Sequence, residues 1–372
     1  MKRWIPPLAV GAAAFAAFAP ALSWDDPLFV FENPWIRGLS FEHARWAMTA
    51  TRGGFWQPLT WLSLQFDYSL WGLEASGFHL TNLLLHAGAA VLFYYVCLEL
   101  LEGRVKAATL AALFFAVHPL RVESVAWATE RKGLLSALFF LAAVLLHRRG
   151  RVRGALAAFA LSLAAKATGL TLPFVLLILE SHKMRKLPGR RALLALAPFF
   201  ALSAGATVLG VLVGRSTGVI SDMTPLGPSW PVARVLYGFL FYPLKTLWPT
   251  GLSPYYPPPP WFGAWSWRIF ACAAVLAAAV AALWRLRRSR PGVAAAFTAY
   301  AVMLLPTVGL VQQGQLYAAC DRFSYLPCLG FAVVFGASLA RSRAGTALAA
   351  AWLLALGVAS WRQCGVWRDS LT

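Results

Sequence analysis

The chain has 372 residues, of which 59% are hydrophobic and only 13% charged, and a mean hydropathy of +0.63. Soluble domains carry about 25% charged residues, so this composition excludes an ordinary soluble globule and belongs in a bilayer. The net charge of +19, from 33 Lys and Arg against 14 Asp and Glu, does not point to nucleic acid, because many of the basic residues cluster between apolar runs, as a topology signal does.

Lys2 and Arg3 precede the first apolar run, Trp4–Leu22. Its Ala-rich core and Ala19-Pro20-Ala21 imitate a secretory signal peptide, yet a run of about 19 residues also suits an uncleaved span, the reading adopted here. In either case Asp25 and Asp26, in Ser23-Trp24-Asp25-Asp26-Pro27, lie outside the cytoplasm. Two adjacent carboxylates at the mouth of a membrane helix cost free energy unless something uses them.

A long outer segment, residues 24–77, is rich in Trp and Phe. Its amphipathic stretches around Phe41–Thr51 and Trp56–Trp71 suit helices lying in the interface, anchored by Trp35, Trp46, Trp56, Trp61 and Trp71. Spans are expected at Phe78–Leu101, Ala107–Val117, Leu134–His147, Gly154–Ala165, Gly169–Glu180 and Ala192–Gly214. Reading Val232–Trp248 as a crossing would put every later basic cluster on the wrong side. Residues 232–249, with Pro243 and Lys245 inside, are therefore expected to be interfacial or re-entrant. Pro254-Tyr255-Tyr256-Pro257-Pro258-Pro259-Pro260 is an extended outer segment of polyproline type. Trp267–Trp284, Val293–Val311, Phe323–Ala340 and Ala344–Ser360 complete about eleven transmembrane helices in an all-α, polytopic fold.

The positive-inside rule assigns to the cytoplasm Arg104 and Lys106; Arg148, Arg149, Arg151 and Arg153; Lys183, Arg185, Lys186, Arg190 and Arg191; Arg285, Arg287, Arg288 and Arg290; and Arg341 and Arg343. Only Glu99, Glu102 and Glu180 among the acids share that side. The five cysteines make no metal spacing. Cys97 and Cys272 read as buried thiols, and a disulfide among Cys320, Cys328 and Cys364 is permitted but not predicted.

Beyond the Asp pair, polar residues collect on the outer face at four points. His79, Asn82 and His86 share one helical stripe, which suits helix–helix hydrogen bonding better than a metal. His118-Pro119-Leu120-Arg121-Val122-Glu123 runs on to Ala128-Thr129-Glu130-Arg131-Lys132. Glu123 and Glu130 are seven apart, so one helix would carry both on one face; paired surface charges alone contribute little, which favours a functional role. Lys166 is a lone ammonium between two short spans, either snorkelling to the interface or contacting a phosphate. Asp321-Arg322-Phe323-Ser324-Tyr325 either fixes the helix that follows or lets Arg322 hold a phosphate.

Carboxylates with Lys and Arg at one membrane face suit an enzyme that uses a lipid-phosphate sugar donor. A carboxylate can deprotonate an acceptor hydroxyl. Cations, or a divalent ion such as Mg or Mn held by Asp26, Glu123 and Glu130, can stabilise the departing phosphate. A groove between spans would take the polyprenyl tail. No ATP-binding loop is present, which fits a donor already activated through its lipid phosphate.

Several motifs then carry a family resemblance: Phe31-Glu32-Asn33-Pro34, Pro58-Leu59-Thr60-Trp61, Phe78-His79-Leu80-Thr81-Asn82 with His86, His118-Pro119-Leu120-Arg121-Val122-Glu123, Lys245-Thr246-Leu247-Trp248-Pro249 and Asp321-Arg322-Phe323-Ser324-Tyr325-Leu326-Pro327. Together they resemble the membrane part of bacterial multi-span proteins that continue into tetratricopeptide repeats, relatives of the TMTC-type O-mannosyltransferases in the GT-C superfamily. The resemblance implies a GT-C-like domain over 1–361 and, at 362–372, the start of an outer extension cut before its repeats. It also implies an acid just after the first span as base (Asp25 or Asp26), an acidic site in the next outer loop (Glu123 or Glu130), and a polyprenyl-phosphate sugar donor used on the periplasmic face of a bacterial inner membrane. Gln57 and Arg121 stand where relatives tend to have His, and Gly133 where they have an acid.

The expected activity is thus a membrane glycosyltransferase acting on a protein or glycan hydroxyl. Asp25 and Asp26 are its catalytic pair and Glu123 and Glu130 its acidic partners. Arg131, Lys132, Lys166 and Arg322 are the donor contacts, with His79, Asn82, His118, Asp321 and Tyr325 in support. The alternatives are a non-catalytic scaffold that presents repeats outside the cell, or a lipid or sugar transporter.

Overall fold

The computed structural model describes residues 4–19, 27–184, 189–220, 227, 229–262, 265–309 and 317–367. Asp25 and Asp26 lie outside these residues. The described chain is helical, with a single isolated bridge between Tyr256 and Ala319. It divides into two compact units, residues 1–169 with 332–372, and residues 170–331.

The first unit begins with α1 (Ile5–Phe18) and continues through α2 (Phe41–Thr49) and α3 (Pro58–Trp71) to α4 (Ala75–Leu100). Then come α5 (Val105–Ala116), the short α6 (Val122–Ala126), α7 (Arg131–Arg148) and α8 (Val152–Ala165), and the last helix of the chain is α15 (Arg343–Cys364). Local signals set several boundaries. Ser40 caps α2 by accepting from the His43 amide at 3.1 Å, and Gly72, at φ +62°, ends α3 in a conformation that a β-carbon would disfavour.

α4 is the centre of this unit, packing against α1, α3, α5 and α7. α15 returns to α1, and Ser360 donates to the Val117 carbonyl at 2.7 Å. Over the start of α4, the outer segment builds a small core on Trp61, Leu64, Phe78, Val30 and Ile36. Trp35 and Trp46 stack with centroids 5.7 Å apart.

The structure corrects the expectation that 24–77 merely lies in the interface. α3 is packed inward, with Thr60, Trp61, Leu64, Gln65 and Asp67 all buried. The reason is a charge pair. Asp67 meets the guanidinium of Arg131 with both side chains essentially inaccessible, at 1% and 0% exposure. Arg131 also donates from Nε to Asn82 Oδ1 at 2.9 Å and from Nη2 to the Phe78 carbonyl at 2.6 Å, and Thr81 donates to Asp67 Oδ1 at 2.9 Å. Burial pushes the Asp67 carboxyl above its ordinary value, against the opposing pull of Arg131. A further correction concerns residues 120–133. These do not form one helix bearing Glu123 and Glu130 on one face, because Trp127, extended at φ −83° and ψ 111°, separates α6 from a 3₁₀ turn at Ala128–Glu130.

The second unit holds α9 (Leu172–Met184), α10 (Arg190–Ser216), α11 (Trp230–Leu247), α12 (Trp267–Ser289) and α13 (Pro291–Leu304). α13 packs on α9 and α12, and α12 on α11. Its core gathers Phe241, Tyr242, Tyr300, Leu304 and Val308. The proline-rich segment is strapped on at Tyr256, whose amide donates to the Ala319 carbonyl at 3.1 Å and whose carbonyl accepts from the Ala318 amide at 2.8 Å. The next helix, α14 (Leu329–Leu339), belongs to the first unit from Ala332 onward, and it starts later than expected because residues 321–324 form a 3₁₀ turn and Pro327 cannot donate to a helical ladder.

Among the described residues, four helices are long and apolar enough to cross a membrane: Ala75–Leu100, Arg190–Ser216, Trp267–Ser289 and Arg343–Trp367. The bent pair Val105–Ala116 and Pro119–Ala126, at 55°, makes a fifth if read as one broken span. Ile5–Phe18, Val152–Ala165, Pro291–Leu304 and Leu329–Leu339 are apolar but shorter. These helices mark a membrane protein, and the eleven expected crossings exceed the number that meets the length criterion.

Removing one partner of a buried ion pair leaves the other charge uncompensated, at a cost of about 3–5 kcal/mol, whereas replacing both with apolar residues is far milder. Asp67→Leu or Arg131→Met alone should therefore lower the unfolding midpoint of the detergent-solubilised protein much more than the double substitution does. A double variant at least as unstable as the sum of the singles would contradict this account of the pair.

Candidate functional site

The site grows from two helix ends. α7 runs away from its N-cap residue, Glu130, whose side chain caps no amide of that helix. α8 ends at Lys166, which is extended at φ −160° and ψ 137°. The two helices pack side by side. Acids are favoured at helix N-termini and cations at C-termini, so antiparallel packing brings a suited carboxylate to a suited ammonium. Lys166 Nζ donates to Glu130 Oε2 at 2.9 Å and Oε1 at 3.2 Å.

Backbone and hydroxyl contacts fix both ends. Ser136 donates to the Lys166 carbonyl at 3.2 Å, and Ser162 to the Ser136 carbonyl at 2.8 Å. From α3, Thr60 donates to the Ala165 carbonyl at 3.1 Å. Gly133 leaves the space that the carboxylate occupies, since a β-carbon there would lie 2.8 Å from Glu130 Oε2.

A second ammonium joins the pair. Lys132 Nζ lies 3.7 Å from Glu130 Oε1, with the Phe29 ring at 5.5 Å and the Trp127 ring at 5.7 Å. Glu130 is 2% exposed, while the Lys132 and Lys166 side chains reach solvent at 14% and 19%. Two ammonium groups thus meet one buried carboxylate between an aromatic wall and the surface. Such a cluster can receive an oxyanion.

The other expected residues are distributed as follows. Glu123 is buried on α6, and His118 accepts the Leu120 amide at Nδ1, 3.2 Å away. His79, Asn82 and His86 are all buried on α4. Asn82 donates to the Val125 and Trp127 carbonyls at 3.2 and 3.0 Å, and His86 lies 3.0 Å from the Ala116 carbonyl. The Asn82 bonds tie α4 to the stretch that leads into Glu130, and the His86 contact ties it to α5. Arg131 is enclosed by Asp67, Asn82 and Phe78 and is not exposed as a surface cation. Among the described residues, no three His, Cys, Asp or Glu side chains gather as a metal site.

In the second unit, Asp321 accepts from Tyr256 Oη and from the Ser253 amide, both at 2.9 Å. Arg322 donates to the Pro254 carbonyl at 3.1 Å and stands 5.0 Å over the Tyr255 ring. Both residues grip the proline-rich segment, and Tyr325 is buried nearby in sequence. Asp67 was not among the expected residues. Its signal was available as an acid in the interior of an apolar, aromatic helix, Trp61-Leu62-Ser63-Leu64-Gln65-Phe66-Asp67, where it needs a cationic partner.

No protein-family model matches the chain. Parts of it resemble curated animal proteins. It is 40% identical over 96 residues to human protein O-mannosyl-transferase TMTC3, covering 26% of this chain and 10% of that protein. Against human protein O-mannosyl-transferase TMTC4 it is 34% identical over 159 residues, covering 36% and 22%. Against mouse protein O-mannosyl-transferase TMTC1 it is 30% identical over 167 residues, covering 39% and 17%. The matched stretches thus span less than a quarter of these relatives, which lend no support to a bacterial source.

Gly133→Ala should push the Glu130 carboxylate away from Lys166 while favouring the helix backbone by about 0.5–1 kcal/mol. The variant should keep its unfolding midpoint and label faster at Lys166 with an amine-reactive reagent, read by peptide mass spectrometry. Unchanged labelling would mean that the glycine does not set the position of the carboxylate.

Proposed function

We propose that this chain is a membrane glycosyltransferase of the GT-C type that moves a sugar, mannose by analogy with the named relatives, from a polyprenyl-phosphate donor to a Ser or Thr hydroxyl of a protein. The observation that carries the reading is the Glu130 carboxylate held between Lys132 and Lys166 at one end of a membrane helix bundle. The O-mannosyl-transferase names of the relatives supply the reaction class.

In this reading the acceptor oxygen attacks the anomeric carbon and inverts it. The bond from that carbon to the phosphate oxygen breaks, and its electron pair leaves with the phosphate. The hydroxyl proton passes to Asp25 or Asp26 as general base. Lys132 and Lys166 meet the charge that grows on the phosphate, and Glu130 holds both ammonium groups in place before the donor arrives. Arg131 and Asp67 act at one remove, fixing the turn that presents this cluster. The shorter apolar helices also cross the membrane, as do α7 and α9, giving about eleven spans, and the cluster faces the side away from the basic loops.

The test is transfer of labelled mannose from a polyprenyl-phosphate donor to a Ser- and Thr-containing peptide by the protein in membranes. Replacing Asp25 and Asp26 together by Asn should lower turnover by about 10²–10⁴, and Lys166→Met by about 10²–10³, with insertion unchanged. Full turnover in both variants would overturn the proposal. Absence of any transfer by the unaltered chain, with no polyprenyl phosphate in the lipid that co-purifies with it, would favour the scaffold reading.

A further inference from the structure

The first unit has a second charged end. α4 has 26 residues, a length of about 39 Å at 1.5 Å per residue, and Asn82 and Phe78, which hold Arg131, lie on its first two turns. Its far end carries Glu99, which receives Arg149 at 3.2 Å and so joins the α7–α8 turn to the α4–α5 turn. Arg104, Lys106, Arg148, Arg149, Arg151 and Arg153 therefore gather at the end away from the candidate site.

At that end a cleft of about 310 Å³ opens between the start of α5 and the end of α14. Arg104, Lys106 and Arg341 line it in polar fashion, and Val105, Ala107, Ala337 and Ala340 form its apolar wall. The floor is rigid. A β-carbon on Gly336 would lie 2.7 Å from the Ala111 nitrogen, so the two helix backbones touch just inside the cleft, and Phe114 packs on Phe335 at 4.6 Å. No side chain caps the first turn of α5, whose leading amides point toward this end. Glu102, exposed in the preceding turn, is the acid nearest in sequence and offsets only part of the charge.

Three cations of one sign, open helix amides and an apolar wall at a membrane-spanning bundle's basic end form a site of mixed character. The cationic rim suits a phosphate, and the wall of Val105, Ala107, Ala337 and Ala340 suits an acyl chain. A free phosphate would leave the wall unused. A neutral zwitterionic headgroup would bring its own ammonium into a field of three positive charges. We infer that this cleft binds one acidic phospholipid, with the headgroup phosphate at Arg104, Lys106 and Arg341 and a chain descending along the wall. This binding does not depend on the reaction proposed above.

The experiment uses the full chain in detergent, titrated with phosphatidylglycerol, phosphatidylcholine or inorganic phosphate and followed by native mass spectrometry and unfolding midpoint. Phosphatidylglycerol should bind saturably at one site and raise the midpoint. Arg104→Gln with Lys106→Gln and Arg341→Gln should each weaken it, by about fivefold per cation removed. Arg151→Gln with Arg153→Gln, at the same end but outside the cleft, should leave it unchanged. Equal weakening by both sets would show a diffuse surface potential and overturn the site. So would inorganic phosphate or phosphatidylcholine binding as tightly as the acidic lipid.

Discussion

A single enclosed ion pair organises the first unit. Asp67 and Arg131 come from segments that the chain separates by three helices, and neither can be left charged and alone in a dry interior. Arg131 resolves this by filling every side of its fork: the Asp67 carboxylate, the Asn82 amide oxygen and the Phe78 carbonyl. Three elements, α3, α4 and the start of α7, are thereby locked at one point. The residues on either side of Arg131 in sequence are Glu130 and Lys132, so the buried arginine sets the position of both the buried carboxylate and the solvent-reaching ammonium of the cluster.

This arrangement separates roles that a reading by charge alone would merge. Arg131 and Lys132 are adjacent and both cationic, yet one is sealed and the other reaches solvent beside two aromatic rings. Likewise Asp321 and Arg322 are adjacent and opposite in sign, but each grips a different part of the proline-rich segment. Guanidinium suits the enclosed positions because its planar fork satisfies several acceptors at once, while an ammonium on a flexible stem suits the surface.

Hydropathy made most helices legible, since runs such as Ala75–Leu100 and Trp267–Ser289 need only composition to be recognised. Their ends were less legible: the 3₁₀ turn at Asp321–Ser324 and the break at Trp127 depend on tertiary contacts that no local pattern records. The Glu130 region stood out because so many charges in an apolar chain require partners. Which partner each charge takes was not readable. Lys166 lies 36 positions from Glu130 and Asp67 lies 64 from Arg131, and only helix packing brings either pair together. The expectation of amphipathic surface helices failed at α3 because Gln65 and Asp67 read as a solvent face when they in fact mark the buried one.

The first unit is also discontinuous along the chain, with residues 170–331 inserted between its parts. α15 closes it, packing on α1, and its Ser360 reaches the Val117 carbonyl across 243 positions. Contacts that far apart pay their loop-closure entropy late. During synthesis, α1 to α8 must therefore wait with their α15-facing surface uncovered until all of the second unit has been made. The unit that carries the candidate site is started before the second unit and finished after it.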